Sequence, residues 1–161
     1  MRRTPLKEWL KIGAIALVVM VLMTRVPVII ALAREEVVEQ PPACQAGPDA
    51  LRAALAAAPR GVRVEGTRLS ACFVRASESA EVQQLSSDLL DVASGLSRDA
   101  VARPESRPAL ELGYLVGAVQ RGTPGDQGIY ETMEDRLEQE AVTVAASRAY
   151  RRGLQAGRRT G

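Results

Sequence analysis

An apolar run fills residues 12–23, and after Thr24 and Arg25 it resumes through residues 26–33. A helix rises about 1.5 Å per residue against a hydrocarbon core of about 30 Å, so the first run alone is too short to cross a bilayer. Residues 12–33 together are long enough. Arg25 costs about 2.5–3.5 kcal/mol when held near the bilayer centre, whereas each Ile, Leu or Val around it favours insertion by about 0.3–0.6 kcal/mol. The aliphatic side chains outweigh the arginine, which can also snorkel towards an interface. The expectation is a transmembrane anchor over residues 12–33. The alternative is a cleaved signal peptide, whose parts are also present: a basic start, an apolar stretch and the small-residue site Ala31-Leu32-Ala33.

Arg2, Arg3, Lys7 and Lys11 stand against Glu8 before this segment. By the positive-inside rule residues 1–11 are a basic cytoplasmic N-terminus and the rest of the chain lies outside. The expected location is the cell membrane, crossed once, or the exterior if the segment is cleaved. Cys44 and Cys72, the only cysteines, both follow the segment. An even count in an oxidising compartment points to one disulfide between them. With no histidine and no CxxC pair, a zinc site is not expected.

Past the segment, aromatics are limited to Phe73, Tyr114, Tyr130 and Tyr150, and small or aliphatic residues supply the apolar content. That favours packed helices over a sandwich or barrel. The expected fold is all-α: an N-terminal transmembrane helix followed by a small bundle of three or four principal helices. Residues 34–47, with three acids and Pro41-Pro42, read as a polar stalk, residues 48–147 as the extracytoplasmic helical domain, and residues 148–161 as an Arg-rich tail.

Within that domain a short helix starts at Pro48, carries Leu51, Ala54 and Leu55 on one face and ends at Pro59. Val62 and Val64 alternate between Gly61 and Gly66, the pattern of a turn with a short extended piece. Residues 69–76 suit a helical turn holding Cys72. Val82, Leu85, Leu89, Val92 and Leu96 then repeat at three and four residues, the seam of an amphipathic helix, with Ser77 as cap and Glu78 and Glu81 in its first turn. Pro104 and Pro108 bracket a break. Residues 109–120 form a shorter helix containing Gly113-Tyr114-Leu115-Val116-Gly117. It is too short for a membrane span and carries Glu111, so Gly113 and Gly117 are expected to serve close helix packing in a soluble bundle. Thr123, Pro124 and Asp126 open a last helix expected to run from Ile129 past Tyr150, with Ile129, Met133, Leu137, Ala141 and Val144 facing inward.

That helix is polarised. Glu131, Glu134, Asp135, Glu138 and Glu140 occupy its first half; Arg148, Arg151, Arg152, Arg158 and Arg159 occupy its end and the tail. The simplest account is complementarity to the helix macrodipole. The functional account is docking on anionic lipid headgroups or envelope polyanions, where each arginine near a membrane surface contributes about 1 kcal/mol. From Arg34 onward 16 Arg face 18 Asp and Glu, and no aromatics interleave the arginines, so nucleic acid is not an expected partner. The bilayer, an envelope protein, or an anionic lipid or polymer is.

The absence of histidine removes the usual general base, Ser-His-Asp triads and His-ligated metals, and no lysine follows the membrane segment to activate a serine. The acid pairs Asp88/Asp91 and Glu134/Glu138 are ordinary on solvated helices. No catalytic residue, cofactor or metal is therefore expected. The phrases Gly66-Thr67-Arg68-Leu69-Ser70-Ala71-Cys72 and Leu112-Gly113-Tyr114-Leu115-Val116-Gly117-Ala118-Val119 resemble membrane-anchored helical proteins of high-GC bacteria. The resemblance covers about a third of the chain, implies the same architecture and brings no activity with it. The sequence thus leads to a non-enzymatic interaction or structural module of the bacterial envelope. The alternative is a secreted binder of a small or apolar ligand, held in a groove lined by residues such as Leu89, Val92, Tyr114 and Met133.

Overall fold

The computed structural model describes residues 40–73, 79–123 and 128–161. The basic start 1–11, the anchor expected at 12–33 and residues 34–39 of the stalk lie outside these, as do Ser77, Glu78, Pro124 and Asp126. No helix among the described residues is long and apolar enough to cross a membrane.

The described part is a helical bundle with one small hairpin. A 3-10 turn, Pro42–Gln45, leads into α1 (Gly47–Leu55). Strands β1 (Arg63–Val64) and β2 (Thr67–Arg68) pair antiparallel, with Arg63 opposite Arg68 and Val64 opposite Thr67. The two-residue loop between them has positive φ at Glu65 and Gly66, the backbone that a twisted hairpin needs and that glycine adopts without strain. A second 3-10 turn, Leu69–Cys72, follows, and then α2 (Ser79–Val101), α3 (Arg107–Gly122), α4 (Gly128–Ala141) and α5 (Arg148–Thr160).

Helix α3 is the centre of the bundle. Every residue from Ala109 to Val119 is buried, as befits a helix that is apolar nearly all round. Its one buried acid, Glu111, accepts from Arg107 Nε at 2.8 Å. The seam of α2 (Val82, Leu85, Leu89, Val92 and Leu96) is buried along its whole length against the rest of the core. Phe73 and Tyr130 meet edge to face at 6.4 Å. The Tyr114 hydroxyl accepts from the Val62 N–H at 2.9 Å and lies 3.1 Å from Thr160 Oγ1. Since Thr160 Oγ1 donates to Ala156 O, Tyr114 donates to Thr160, and one buried phenol joins the approach to the hairpin to the end of α5.

Two expectations need correcting. The single helix expected from Ile129 past Tyr150 is two helices, α4 and α5, joined by hydrogen-bonded turns over residues 142–147. Val142, Thr143 and Val144 are β-branched and lose side-chain freedom in a helix. The turns seat Val144 in the core, and Ser147 Oγ accepts from the Tyr150 N–H to cap a new helix. Residues 148–161 are accordingly a docked helix rather than a tail. In the shifted register Tyr130 takes the inward position expected of Ile129, which is 41% exposed. Residues 40–47, assigned to the stalk, are also packed into the domain: Cys44 is buried and disulfide-bonded, and Gln40 Nε2 donates to Cys72 O at 2.8 Å.

Candidate functional site: the arginine face of α5

Helices α3 and α5 approach until backbone meets backbone. A Cβ added at Gly113 would lie 2.1 Å from Tyr150 O, and one at Gly117 2.2 Å from Leu154 O. From the other side, a Cβ at Gly153 would lie 2.0 Å from Leu110 O and one at Gly157 2.2 Å from Tyr114 O. Two pairs of glycines, each four residues apart, thus form the crossing, within one chain. Ala149 and Ala156 complete the inner face of α5.

With the small residues turned inward, the other face of α5 carries Arg148, Arg151, Arg152, Gln155, Arg158 and Arg159, all exposed. Arg148, Arg151, Arg152, Leu154, Gln155 and Arg158 line a shallow, open depression. The two ion pairs among the described residues are Arg52–Asp99 and Arg107–Glu111, and neither involves α5. Arg158 Nε donates to Gln120 Oε1 at 2.8 Å, and Gln120 Nε2 to Glu138 at 2.7 Å.

The break between α4 and α5 changes the electrostatic account. The acids stay on α4, and Arg148, Arg151 and Arg152 now fall in the first five residues of α5, where the macrodipole disfavours cations. Macrodipole complementarity can explain Arg158 and Arg159 in the last turn, but not these three. The fold offsets them from a distance. The Glu105 carboxylate, from the α2–α3 connection, accepts from the N–H groups of Arg148 at 2.9 Å and Ala149 at 3.0 Å. At the other end Arg121 Nη1 donates to the carbonyls of Arg158 and Arg159 at 3.0 and 2.7 Å.

The Arg148 N–H, then the Ala149 N–H and the charges of Arg148 and Arg151, hold Glu105 below the usual carboxylate range. A depressed folded value means a stabilising contribution that is complete above the unfolded pKa and is lost as pH falls through the folded one. Glu105→Gln is expected to melt below the parent at neutral pH, and the gap should begin to narrow as pH falls below about 4. A gap that stayed constant across an acid titration of the melting temperature would remove the charged cap from the account. Burial, with the Glu138 charge adding, pushes the Tyr150 phenol up to about 12, so it remains a neutral wedge under the arginine face.

The other candidates separate. Cys44 and Cys72 are bonded, with Cα atoms 5.5 Å apart. Asp88 is buried and held by Gln84 Nε2 at 2.9 Å, whereas Asp91 is exposed, so that pair shares no cleft. Glu134 accepts from Thr123 Oγ1 and Glu138 from Gln120. Among the described residues no three acids or cysteines are grouped to hold a metal ion. Leu89, Val92, Tyr114 and Met133 are core residues, each at most 3% exposed. An open groove lies beside them instead, between α2 and α4, lined by Gln83, Leu90, Ile129 and Met133 among others. Glu105, Arg121 and the Gly153/Gly157 pair escaped the sequence reading; only the glycines have a local signal, the same four-residue spacing seen at Gly113 and Gly117. Comparison of the chain with family models, curated proteins and solved structures gives no match.

Proposed function

We propose that the protein is a non-enzymatic interaction module of the bacterial envelope, anchored by residues 12–33, whose α5 arginine face docks on an anionic surface outside the cytoplasm. The observation that carries this reading is the placement of Arg148, Arg151 and Arg152 in the first five residues of a helix, their guanidinium groups in no ion pair among the described residues. Glu105 offsets Arg148 and Arg151 from a distance, and the exposed guanidinium groups left without a paired carboxylate match an anionic partner. The glycine crossing supports it further, because it fixes α5 rigidly and presents the guanidinium groups as an array.

A photo-crosslinking residue in place of Gln155, in the full chain in cells, tests the proposal. Adducts are expected at position 155, and they should fall several-fold when Arg148→Glu, Arg151→Glu and Arg152→Glu are combined. The new acids would face the Glu105 carboxylate, so the melting temperature of the same variant is measured beside the adducts; a loss of adducts with the fold retained supports the reading. Adducts formed from Gln83 but not from Gln155 would move the function to the α2–α4 groove and favour a ligand-binding protein. Recovery of a chain lacking its first 33 residues from the medium would replace the anchor with a cleaved signal.

A further inference from the structure

A second group of arginines lies at one end of the domain, where the hairpin meets the last turn of α5. Arg63, Arg68 and Arg159, with Gly61 and Thr160, line one open concavity. The hairpin register sets Arg63 directly opposite Arg68, so both side chains leave the same face of the ribbon, an arrangement that like charges oppose. Arg63 Nη1 donates to Gly66 O at 2.8 Å. The guanidinium groups of Arg68 and Arg159 make no hydrogen bond or ion pair among the described residues.

The end of a helix normally repels an anion, because its last carbonyls are unsatisfied. Here four carbonyls of the last turns are occupied. Ala156 O accepts from Thr160 Oγ1 at 2.9 Å, Gly157 O from the Gly161 N–H at 2.8 Å, and the carbonyls of Arg158 and Arg159 from Arg121. What faces solvent is three guanidinium groups, the donors that match phosphate oxygens in pairs.

The location of this concavity narrows the ligand. Arg68 runs directly into the turn Leu69–Cys72, whose Cys72 is bonded to Cys44 and whose carbonyl binds Gln40, the first described residue. Ser70 Oγ donates to Gly161 O, next to Thr160. The concavity therefore shares its end of the domain with the start of the chain that leads back to residues 12–33. Residues 34–39 can span at most about 20 Å. We infer that Arg63, Arg68 and Arg159 form a binding site for the phosphate of an anionic lipid headgroup in the membrane that anchors the chain. This rests on reading residues 12–33 as an anchor. Such a site would hold the domain in one orientation and leave the rest of the α5 face for its partner.

The test uses the full chain in lipid nanodiscs, either of phosphatidylcholine alone or with phosphatidylglycerol added, followed by hydrogen exchange. Peptides covering residues 61–68 and 157–160 are expected to exchange several-fold more slowly in the anionic discs. Combining Arg63→Gln, Arg68→Gln and Arg159→Gln should abolish that difference. The melting temperature should not fall, since the substitutions remove like charges from one face. Protection that survives in this variant would overturn the assignment, as would equal exchange in both discs. Protection by inorganic phosphate in neutral discs, with none in anionic discs, would overturn the lipid as ligand. A chain that enters neither disc would sink the anchor reading, and this site with it. Entry into both discs without lipid-dependent protection would remove the site alone.

Discussion

Gly153→Ala is expected to lower the melting temperature by about 10 °C, from a loss of about 3 kcal/mol. The added methyl would come within 2.0 Å of Leu110 O and 2.8 Å of Tyr114 N. Both are backbone atoms of α3, so no rotamer change relieves the clash. The helices must separate by an ångström or more, and α3 is buried on all sides over Ala109–Val119, so separation on one side disturbs packing on the others. Alanine gains about 1 kcal/mol of helix propensity over glycine, which offsets only part of this. The same reasoning covers Gly113, Gly117 and Gly157, and the effects should not add, because the first substitution already parts the crossing. Gly128→Ala is the control. A Cβ there meets nothing within 4 Å, so the melting temperature should stay level or rise. If Gly153→Ala melted with the parent, the close approach of α3 and α5, and with it the rigid arginine array, would be lost as a premise.

Patterns that repeat within one element were legible in the sequence. The α2 seam fixes which side faces the core because Val82, Leu85, Leu89, Val92 and Leu96 follow the helical period without interruption. The disulfide was legible because two cysteines leave one pairing. Where the reading failed, the deciding term was tertiary. Residues 142–147 contain no Gly or Pro, so nothing local announces the end of α4; Val144 is drawn into the core and Ser147 restarts the helix. That one break reversed the electrostatic meaning of Arg148, Arg151 and Arg152, from the favourable to the unfavourable end of a helix. The groups that compensate, Glu105 and Arg121, lie 43 and 37 residues from the atoms they cap. Such pairings have no sequence period. The site's inner face was partly legible through its glycine spacing, and its outer face as the cluster Arg148, Arg151, Arg152, Arg158 and Arg159, but not as one side of a separate helix.

Replacing Cys44 and Cys72 together by alanine is expected to cost about 3–4 kcal/mol, the chain entropy released when a loop of this size opens in the unfolded state. The cysteines are 28 positions apart, and the loop they close holds α1, the hairpin and the second 3-10 turn. These elements are short, and an isolated two-stranded hairpin is at best marginally stable, so covalent closure carries a larger share of their order than it would in α2 or α3. Two effects are separable by measuring the melting temperature and hydrogen exchange on the same variant. If the bridge acts through the unfolded chain, the whole transition should move down by about 10 °C and exchange should rise everywhere that requires global opening. If it acts as a local tether, the transition should move little, while residues 40–47 and 61–72 exchange faster and the α2 and α3 amides keep their protection. The first outcome would make the bridge a stabiliser of the folded domain as a whole. The second would make it the joint that holds the arginine hairpin to the chain leading towards residues 12–33, and the lipid-dependent protection proposed for residues 61–68 should then disappear with it. A variant that matched its parent in both measurements would show that the Gln40–Cys72 hydrogen bond and core packing suffice, and would leave the bridge no part in positioning the hairpin.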